Sequence, residues 1–474
     1  MKRINRILLC VLCAFVVQAT HAAKPHNGQA KASPARTLPN IVVIMADDLG
    51  WRDLHCYGNE RLDTPALDQL AAEGMRFTDA YAAAPVCSPT RVAMMTGQTP
   101  GRLRLTNHAP GNKDGFSLKG SDLREPETVR NLALSYVTIA ERLSAAGYAT
   151  AHIGKWHLSF VPRNKKEGIL EPDLRPDKQG FSINIGGCFR GGPPSYFAPY
   201  RIPTLPEKEA GEYLPQRLAD EAISFVRKNR GKPFFLNWWP YSVHYPMQAR
   251  EVLIAKYRKR KGPGIRNPTY AAMIEGMDTE IGRFLKALDD AGLRDNTLVI
   301  FKSDNGGYNG DNRPLRGFKG TLYEGGIRIP WIVRLPGKVK PGSTCATPVI
   351  SMDCYPTLLD VAGLPPTPDH PVDGKSLLPL FEQSGRLDRD AVYLHYPNYA
   401  FHKKNRLGGV IREGEYKLIK RYRDGELELY HLNSDIGEKK NLAAQSPELA
   451  GFMERKLEAW LRETGAKMPV RSAP

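Results

Sequence analysis

The stretch Asn40-Ile41-Val42-Val43-Ile44-Met45-Ala46-Asp47-Asp48, read NIVVIMADD, decides the fold class of this chain of 474 residues. Its apolar run is uninterrupted, which is typical of a strand buried on both faces of a parallel sheet. Such a strand needs helices on both sides, and helical patterns alternate with further apolar runs along the chain. The pattern predicts an α/β fold with a large, mostly parallel sheet between helices.

The alternation of strand and helix patterns comprises four predicted strands, including the opening stretch, and four predicted helices. The predicted strands are NIVVIMADD (40–48), ATAHIGKWH with its exit loop (149–157), KPFFLNWWP (232–240) and NTLVIFKSDNG (296–306). The predicted helices are TPALDQLAAEGM (64–75), VTIAERLSAAGY (137–148), RLADEAISFVRKN (217–229) and AAMIEGMDTEIGRFLKALDDAG (271–292).

The C-terminal part has a different pattern. AVYLHYP (391–397), GVIREGEYKLIKRY (409–422) and ELELYHL (426–432) are strand patterns, and a helical pattern ends near Glu463. The Asp424-Gly425 pair between two of them is a hairpin signal. We therefore predict a catalytic α/β domain at 38–375 and a C-terminal subdomain at 376–474 with a small antiparallel sheet and a helix.

The N-terminal segment has the layout of a secretory signal peptide. A basic start, a short apolar run and small residues occupy 1–22, and the run is too short to span a bilayer. We predict a cleaved signal peptide at 1–22, disorder at 23–37, and a periplasmic or extracellular protein without a membrane span.

The chain is basic, with 67 Lys plus Arg against 50 Asp plus Glu and a net charge of +17. This charge suits a polyanionic partner, but on charge alone a generally basic surface without a specific partner is the favoured explanation. No nucleic-acid-binding motif accompanies the charge, so we expect no nucleic-acid partner. Five cysteines follow the signal segment, and an odd number leaves at least one outside an internal disulfide. If Cys87 has another role, three pairings remain open for Cys56, Cys188, Cys345 and Cys354.

Polar side chains follow all four predicted strands where the strands end. Asp47 and Asp48 end the first, Lys155 and His157 the second, His244 follows the third, and Asp304-Asn305 ends the fourth. In open parallel sheets the site lies outside the carboxyl ends of the strands. Each residue alone has a structural explanation as a helix cap, a turn residue or a buried histidine. Together they favour one site.

The chemistry of this set indicates a metal and an oxyanion. Carboxylate and amide oxygens from Asp47, Asp48, Asp304 and Asn305 suit Ca²⁺ or Mg²⁺ better than zinc. Lys155, His244 and Lys319 are expected to hold a tetrahedral anion against that metal. Sulfate and phosphate esters both satisfy this requirement.

The residues Ser88-Pro89-Thr90 are predicted to begin a helix that runs through Met95 to Gly97, because proline is favoured in the first turn. Cys87 then lies at the positive end of the helix beside Arg91. A structural cysteine remains an alternative. A thiolate beside a hard cation is chemically unnatural.

With its MMTG continuation, Cys87-Ser88-Pro89-Thr90-Arg91 resembles the maturation signature of formylglycine-dependent sulfatases of the alkaline phosphatase superfamily, in which the cysteine is oxidised to formylglycine. GYATAHIGKWH (147–157) matches their second signature. Gln98 departs from the arginine common in this family. The resemblance implies an alkaline phosphatase-like fold, an aerobic maturation enzyme or an equivalent system, and a sulfated substrate.

The resemblance also implies the roles of the site residues. The calcium ligands would be Asp47, Asp48, Asp304, Asn305 and an oxygen of the modified Cys87. Arg91 and His157 would position and activate the formylglycine hydrate. Lys155, His244 and Lys319 would grip the sulfate, and His244 or Lys319 would assist the leaving oxygen.

Other segments are candidates for the pocket beyond the sulfate. They are Arg190, Tyr196, Phe197, His395, Tyr396, His402 and the basic run 256–261. The alternative explanation is loop packing for the single residues and a solvated face for the basic run. We expect an exported hydrolase of sulfated polysaccharides or oligosaccharides. The alternatives are a phosphonate or phosphate ester hydrolase on the same fold and a non-catalytic polyanion-binding protein.

Overall fold

A computed structural model of the protein describes residues 38–472 except 110–120, 162–170, 261, 403 and 405. The predicted signal peptide and the predicted disordered segment lie outside the described residues. The chain from Leu38 onward forms one compact unit. The boundary that we place between 375 and 376 stays a prediction.

The centre of the fold is an eight-stranded sheet with the strand order β10-β2-β9-β8-β1-β7-β5-β6. Its strands are β1 Asn40–Ala46, β2 Met75–Phe77, β5 Ala149–Gly154, β6 Ile183–Ile185, β7 Phe234–Trp239, β8 Thr297–Ser303, β9 Trp331–Arg334 and β10 Ser343–Cys345. All strand pairs in it are parallel except those of β9 with β2 and β8. The predicted mostly parallel sheet is confirmed.

Two short ribbons accompany this sheet. They are the parallel pair of β3 Ala80–Tyr81 with β11 Val349–Ile350, and the antiparallel pair of β4 Leu123–Arg124 with β16 Val470–Arg471.

Strand β1 lies between β7 and β8, so both of its edges are paired, and its side chains are buried on both faces. Ile41 and Val43 belong to one hydrophobic cluster, and Val42 and Ile44 belong to another. This alternation follows from the two-residue period of a strand, because successive side chains point to opposite faces. An uninterrupted apolar run is the sequence that fits both sides.

Helices cover both faces of the sheet. The helices on one face are α1 Pro65–Ala72, α5 Leu214–Lys228, α6 Glu251–Lys259 and α7 Pro268–Asp290. The helices on the other face are α2 Cys87–Thr96, α4 Ile139–Ala145 and α9 Cys354–Ala362. Three one-turn helices complete this part, α3 Pro100–Leu103, α8 Glu324–Ile327 and α10 Leu378–Phe381.

The predicted C-terminal sheet is confirmed. It has four antiparallel strands in sequence order, β12 Ala391–Tyr396, β13 Gly408–Glu413, β14 Tyr416–Arg421 and β15 Leu427–His431. The segment predicted as one strand at 409–422 is two strands, since Gly414 turns the chain with a φ of 54°. One face of this sheet packs against the segments around Leu322 and Ile350, and the other packs against α11 Pro447–Glu463.

The five cysteines in the described part of the chain, Cys56, Cys87, Cys188, Cys345 and Cys354, all carry free thiols. The three pairings left open by the sequence are therefore not realised. Among the described helices, none combines the length and the apolar character needed to cross a bilayer.

Candidate functional site

The carboxyl ends of β1, β5, β7 and β8 bring the predicted polar residues together. Neighbouring side chains on a strand point to opposite faces, so Asp47 and Asp48 could not both reach one site from a continuing strand. Asp48 has a left-handed backbone with a φ of 62°, which ends the alternation. His157 after β5 is left-handed as well, with a φ of 58°. Conformations of this kind are costly for residues other than glycine and are concentrated at functional sites.

Helix α2 brings the cysteine and an arginine to the same place. It begins at Cys87, one residue before the predicted start at Ser88, and Arg91 follows four residues later on the same face. The Cys87 Sγ lies 3.5 Å from Asp47 Oδ1 and 3.9 Å from Asp48 Oδ1. The hydroxyl of Ser88 donates a hydrogen bond to the carbonyl of His157 at 2.8 Å, which ties the helix start to the end of β5.

Three buried carboxylates, which we call the acidic cluster, form the floor of the site. They are Asp47, Asp48 and Asp304, none more than 2% exposed. Each has a buried cation at hydrogen-bonding distance. Lys155 Nζ lies 2.7 Å from Asp47, Lys319 Nζ lies 2.6 Å from Asp48, and Arg91 Nη2 lies 2.7 Å from Asp304 and also 3.7 Å from Asp47 Oδ1. Because three negative and three positive charges balance, an added divalent cation would give the site a net positive charge that attracts an anion.

The protonation of the acidic cluster reflects its burial. Burial raises the pKa of Asp47 to about 7 despite the nearby Lys155, and the carboxylates of Asp304 and Asp48 act in the same direction. Burial would also raise the pKa of Asp48, but the neighbouring Lys319 and His244 outweigh burial and hold the pKa of Asp48 below its ordinary value. Like charges this close favour either a shared proton or a bound cation.

The donor set of the site fits a hard divalent cation. Ligand atoms of the acidic cluster and Cys87 lie within 4.8 Å of one another. Asn305 Nδ2 donates to Asp48 Oδ1, while Asn305 Oδ1 is buried and finds no hydrogen-bond partner within the described parts of the chain. Oxygen ligands of this kind suit Ca²⁺, so Asp47, Asp48, Asp304 and Asn305 are the residues that would hold it.

The thiol of Cys87 is poorly suited to act as a nucleophile itself. Cys87 is fully buried, and burial together with Asp304 raises the pKa of its thiol far above the ordinary value. A thiolate is the reactive form of cysteine, so this environment disfavours thiolate chemistry. The side chain of residue 87 nevertheless points into the acidic cluster.

Two predicted histidines complete the site. Burial lowers the pKa of His244 to about 3. Burial and the charge of Lys155 also hold the pKa of His157 well below its ordinary value. Both are therefore neutral at physiological pH. His157 Nδ1 is a buried atom without a hydrogen-bond partner among the described residues. His244 has a side chain 23% exposed, compared with 4% for Lys319, so the site opens on its side.

His108 is a site residue that sequence reasoning missed. Its ring lies 5.7 Å from that of His157, and the amide of the next residue, Ala109, donates to Ser88 Oγ at 2.9 Å. Burial, followed by Lys319 and Lys155, lowers the pKa of His108 to about 3. The segment around it follows no strand of the sheet, which is why the strand-end argument does not find it.

A glycine pair packs directly on the two predicted histidines. A Cβ on Gly191 would lie 2.8 Å from Cε1 and Nε2 of His157, and one on Gly192 would lie 2.5 Å from Nδ1 of His244. These distances leave no room for a side chain. The loop after β6 therefore forms one wall of the site with its backbone.

The six single residues proposed for the outer pocket fall into a buried group and a partly exposed group. Tyr196, His395 and Tyr396 are buried, so their side chains pack inside the protein. Tyr196 donates hydrogen bonds to the carbonyls of Tyr241 and His244, which supports the loop that carries His244. The remaining three, Arg190, Phe197 and His402, are partly exposed.

The basic run 256–261 is mostly neutralised by neighbouring acids. Lys256 contacts Asp63 and Glu275, and Arg260 contacts the same Asp63. Arg258 contacts Glu251. Lys261 lies outside the described residues. These pairs support the reading of a solvated helix face over that of a polyanion-binding strip.

Two family models match the chain. The model "Sulfatase" covers residues 39–364, and the model "N-sulphoglucosamine sulphohydrolase, C-terminal" covers residues 318–464. Among curated proteins, a sulfatase of Formosa agariphila is 32% identical over 98% of this chain and 95% of its own length. Arylsulfatase A of Homo sapiens is 35% identical over 80% of this chain and 74% of its own length.

A solved structure with a similar fold is Ps i-CgsB in complex with k-i-k-neocarrahexaose. Its TM-score is 0.75 at 29% identity, and the match covers 90% of this chain and 93% of that chain. The similarity spans the large sheet and the C-terminal part together, because nine-tenths of the chain is included.

Proposed function

The chain belongs to the sulfatase family, whose members hydrolyse sulfate esters, and we propose that it cleaves sulfated saccharides with Ca²⁺ and a formylglycine derived from Cys87. The observation that carries this proposal is the buried position of Cys87 against the acidic cluster. A thiol there is inactive, whereas an oxygen nucleophile at the same carbon would suit hard carboxylate and cation chemistry.

Ca²⁺ and formylglycine would each supply a different part of the chemistry. Bound Ca²⁺ supplies Lewis-acid polarisation of a sulfate oxygen, and formylglycine in its hydrated form supplies an oxygen nucleophile. The proposed ligands are Asp47, Asp48, Asp304, Asn305 and the modified residue 87. Arg91 holds Asp304 by hydrogen bonds from Nε and Nη2, and this fixes the carboxylate for its role.

The cationic side chains bind the sulfate. Lys155 and Lys319 are buried, so their charges act in a water-poor site where they stabilise oxyanions strongly. Burial lowers the pKa of Lys319, but the carboxylate of Asp48 outweighs it and raises the pKa above its ordinary value. A fully protonated Lys319 is suited to donate a hydrogen bond to the leaving oxygen.

The histidines have complementary parts in this proposal. His157 is neutral and buried, with a ring nitrogen available to accept a proton from a group at residue 87. His244 lies on the open side, 3.8 Å from Asp48, where the alcohol part of the ester would leave. We assign His157 as the base and place His244 and Lys319 at the leaving group.

Saccharides are proposed as substrates because of the relatives. Ps i-CgsB was solved with a neocarrahexaose bound, and it matches this chain over most of both sequences. We propose in addition that the chain is exported through its N-terminal signal segment and that a formylglycine-generating or equivalent enzyme matures Cys87.

The test has two parts. Mass spectrometry of the peptide that contains residue 87, from protein purified from its native host, is expected to show an aldehyde or its hydrate. The same protein is expected to release sulfate from 4-nitrophenyl sulfate much faster than phosphate from 4-nitrophenyl phosphate. An intact thiol in active protein would refute the nucleophile, and a preference for the phosphate would favour the phosphonate or phosphate ester hydrolase.

A polyanion-binding protein without catalysis is the remaining alternative. It would bind sulfated polymers equally well with alanine at position 87 and would release no sulfate. The complete pairing of three carboxylates with three cations in the floor is a costly arrangement for a surface that only binds.

A further inference from the structure

Four aromatic side chains, which we call the aromatic rim, form a continuous arc at the open side of the site. They are Tyr245, Tyr308, Phe318 and Phe401. Tyr308 is the centre of the arc, with ring centroids 6.4 Å from Tyr245, 5.8 Å from Phe318 and 5.2 Å from Phe401. Tyr245 is 49% exposed and Phe401 is 40% exposed, so the arc presents ring surface to solvent.

The aromatic rim is adjacent in sequence to His244 and Lys319, the two residues placed at the leaving group. Tyr245 directly follows His244, and Phe318 directly precedes Lys319. Lys319 Nζ lies 5.8 Å from the ring centroid of Phe401, and the amide of Lys319 donates to the carbonyl before Tyr308, that of Gly307. A group that leaves the sulfate on this side therefore meets the aromatic rim first.

A groove continues from the aromatic rim across the surface. It has a volume of about 430 Å³, and its lining includes Tyr308, Phe318, the segment around Gly310 and Arg266. Arg266 is exposed, and within the described chain it has no carboxylate partner. Its neighbour in the groove, Arg313, is already paired with Asp311.

From this arrangement we propose that the aromatic rim stacks the sugar ring that bears the scissile sulfate, and that the groove receives the next sugar, whose anionic group contacts Arg266. The inference rests on the proposed function and deepens it. The substrate class is a sulfated oligosaccharide with at least two sugars and a second acidic group, since a single sulfated sugar would leave Arg266 unused. Flat aromatic faces suit the apolar face of a sugar ring, and the exposed cation supplies charge recognition.

The experiment compares chain lengths in one series. Sulfate release is measured with N-acetylgalactosamine 6-sulfate against a chondroitin 6-sulfate tetrasaccharide, and with galactose 4-sulfate against a carrageenan tetrasaccharide. The pair with the faster turnover is kept. Wild-type protein is expected to have a kcat/KM on the tetrasaccharide at least about tenfold above that on the monosaccharide, because added contacts contribute binding free energy.

Variants then locate the contacts. Tyr308→Ala and Phe401→Ala are each expected to raise KM for the tetrasaccharide about tenfold with a smaller change in kcat, since stacking on an aromatic ring contributes at this scale. Arg266→Gln is expected to raise KM for the tetrasaccharide more than for the monosaccharide. The matched controls are Phe452→Ala and Arg455→Gln on α11, because Phe452 is an exposed ring with a lysine over it and Arg455 is an exposed arginine.

Each outcome decides one question. Wild-type KM values in Tyr308→Ala and Phe401→Ala would overturn the role of the aromatic rim. Equal kcat/KM on both chain lengths would overturn the second sugar in the groove and its contact with Arg266. Either result leaves the proposed function standing. Absence of sulfate release by wild type from every saccharide would overturn the proposed function itself. Thermal unfolding of each variant checks that a raised KM does not reflect a damaged fold.

Discussion

The acidic cluster and the aromatic rim lie on the same site, but they are built in opposite ways. The acidic cluster is buried, closely paired with cations and fixed by strand ends. The aromatic rim is partly exposed, comes from loops and is held by ring contacts. The first region can hold the chemistry common to sulfate esters, and the second can select which alcohol is attached.

The largest effect is expected from the residue that the acidic cluster surrounds. Cys87→Ala should lower kcat for sulfate ester hydrolysis by about 10⁴-fold or more, because it removes the nucleophile. Turnover of an aryl sulfate measures this change. Cys354→Ala is the matched control, since Cys354 is also a fully buried free cysteine at the first residue of a helix and lies away from the cluster. Comparable loss in both variants would contradict a catalytic role for Cys87.

A second test addresses the cation that the acidic cluster would hold. Excess Ca²⁺ should raise the free energy of unfolding of wild type by about 2.7 kcal/mol at a hundred times its Kd, because it binds only the folded state. Asp48→Asn should lose most of this stabilisation. Asp278→Asn is the control, since burial raises the pKa of Asp278 to about 7 and its carboxylate accepts hydrogen bonds from the amides of Ala66 and Leu67 in α1. A Ca²⁺ effect retained in Asp48→Asn would refute the ligand assignment.

The glycine wall beside His157 gives a smaller effect. Gly191→Ala should lower kcat about tenfold, because its Cβ would displace the ring of His157 by contact at 2.8 Å. Gly231→Ala is the matched control, since a Cβ there meets nothing within 4 Å. Steady-state kinetics on an aryl sulfate separates the two variants. Equal rates would show that the His157 ring is not confined by this loop.

The smallest expected effect concerns pH. Burial and Lys155 hold the pKa of His157 well below 6.5 in the folded state, so below that pH the unfolded chain binds a proton that the folded chain does not. Stability therefore falls as pH falls below about 6.5, by up to about 1.4 kcal/mol per pH unit for one proton. His157→Gln should reduce this slope by up to one proton in denaturant unfolding at fixed Ca²⁺. An unchanged slope would contradict the buried neutral state of His157.

The sequence predicted the fold and the floor of the site because both depend on strands. An uninterrupted apolar run such as that of β1 fits only a doubly covered strand, and the carboxyl ends of such strands converge. Asp47, Asp304 and Lys155 are brought together for this reason. Their catalytic roles and the domain boundary at 375 remain predictions.

The outer pocket was not predictable in the same way. Aromatic residues in loops have no period, so nothing in the sequence distinguishes exposed Phe401 from buried Tyr196. The buried positions of His395 and Tyr396 arise from the C-terminal sheet, whose β12 packs both faces against other elements. His108 was missed because its segment joins the site through Ser88 and not through a strand.

The complete burial of Cys87 also sets an order of events in the life of the protein. The thiol is enclosed by the start of α2 and the ends of β1 and β5, so the maturation that we propose for Cys87 would have to take place before this part of the chain folds. A molecule that folds first keeps its thiol for as long as it remains folded. If Cys87 is matured as we propose, the amount of active protein in a host depends on the rate of modification relative to the rate of folding.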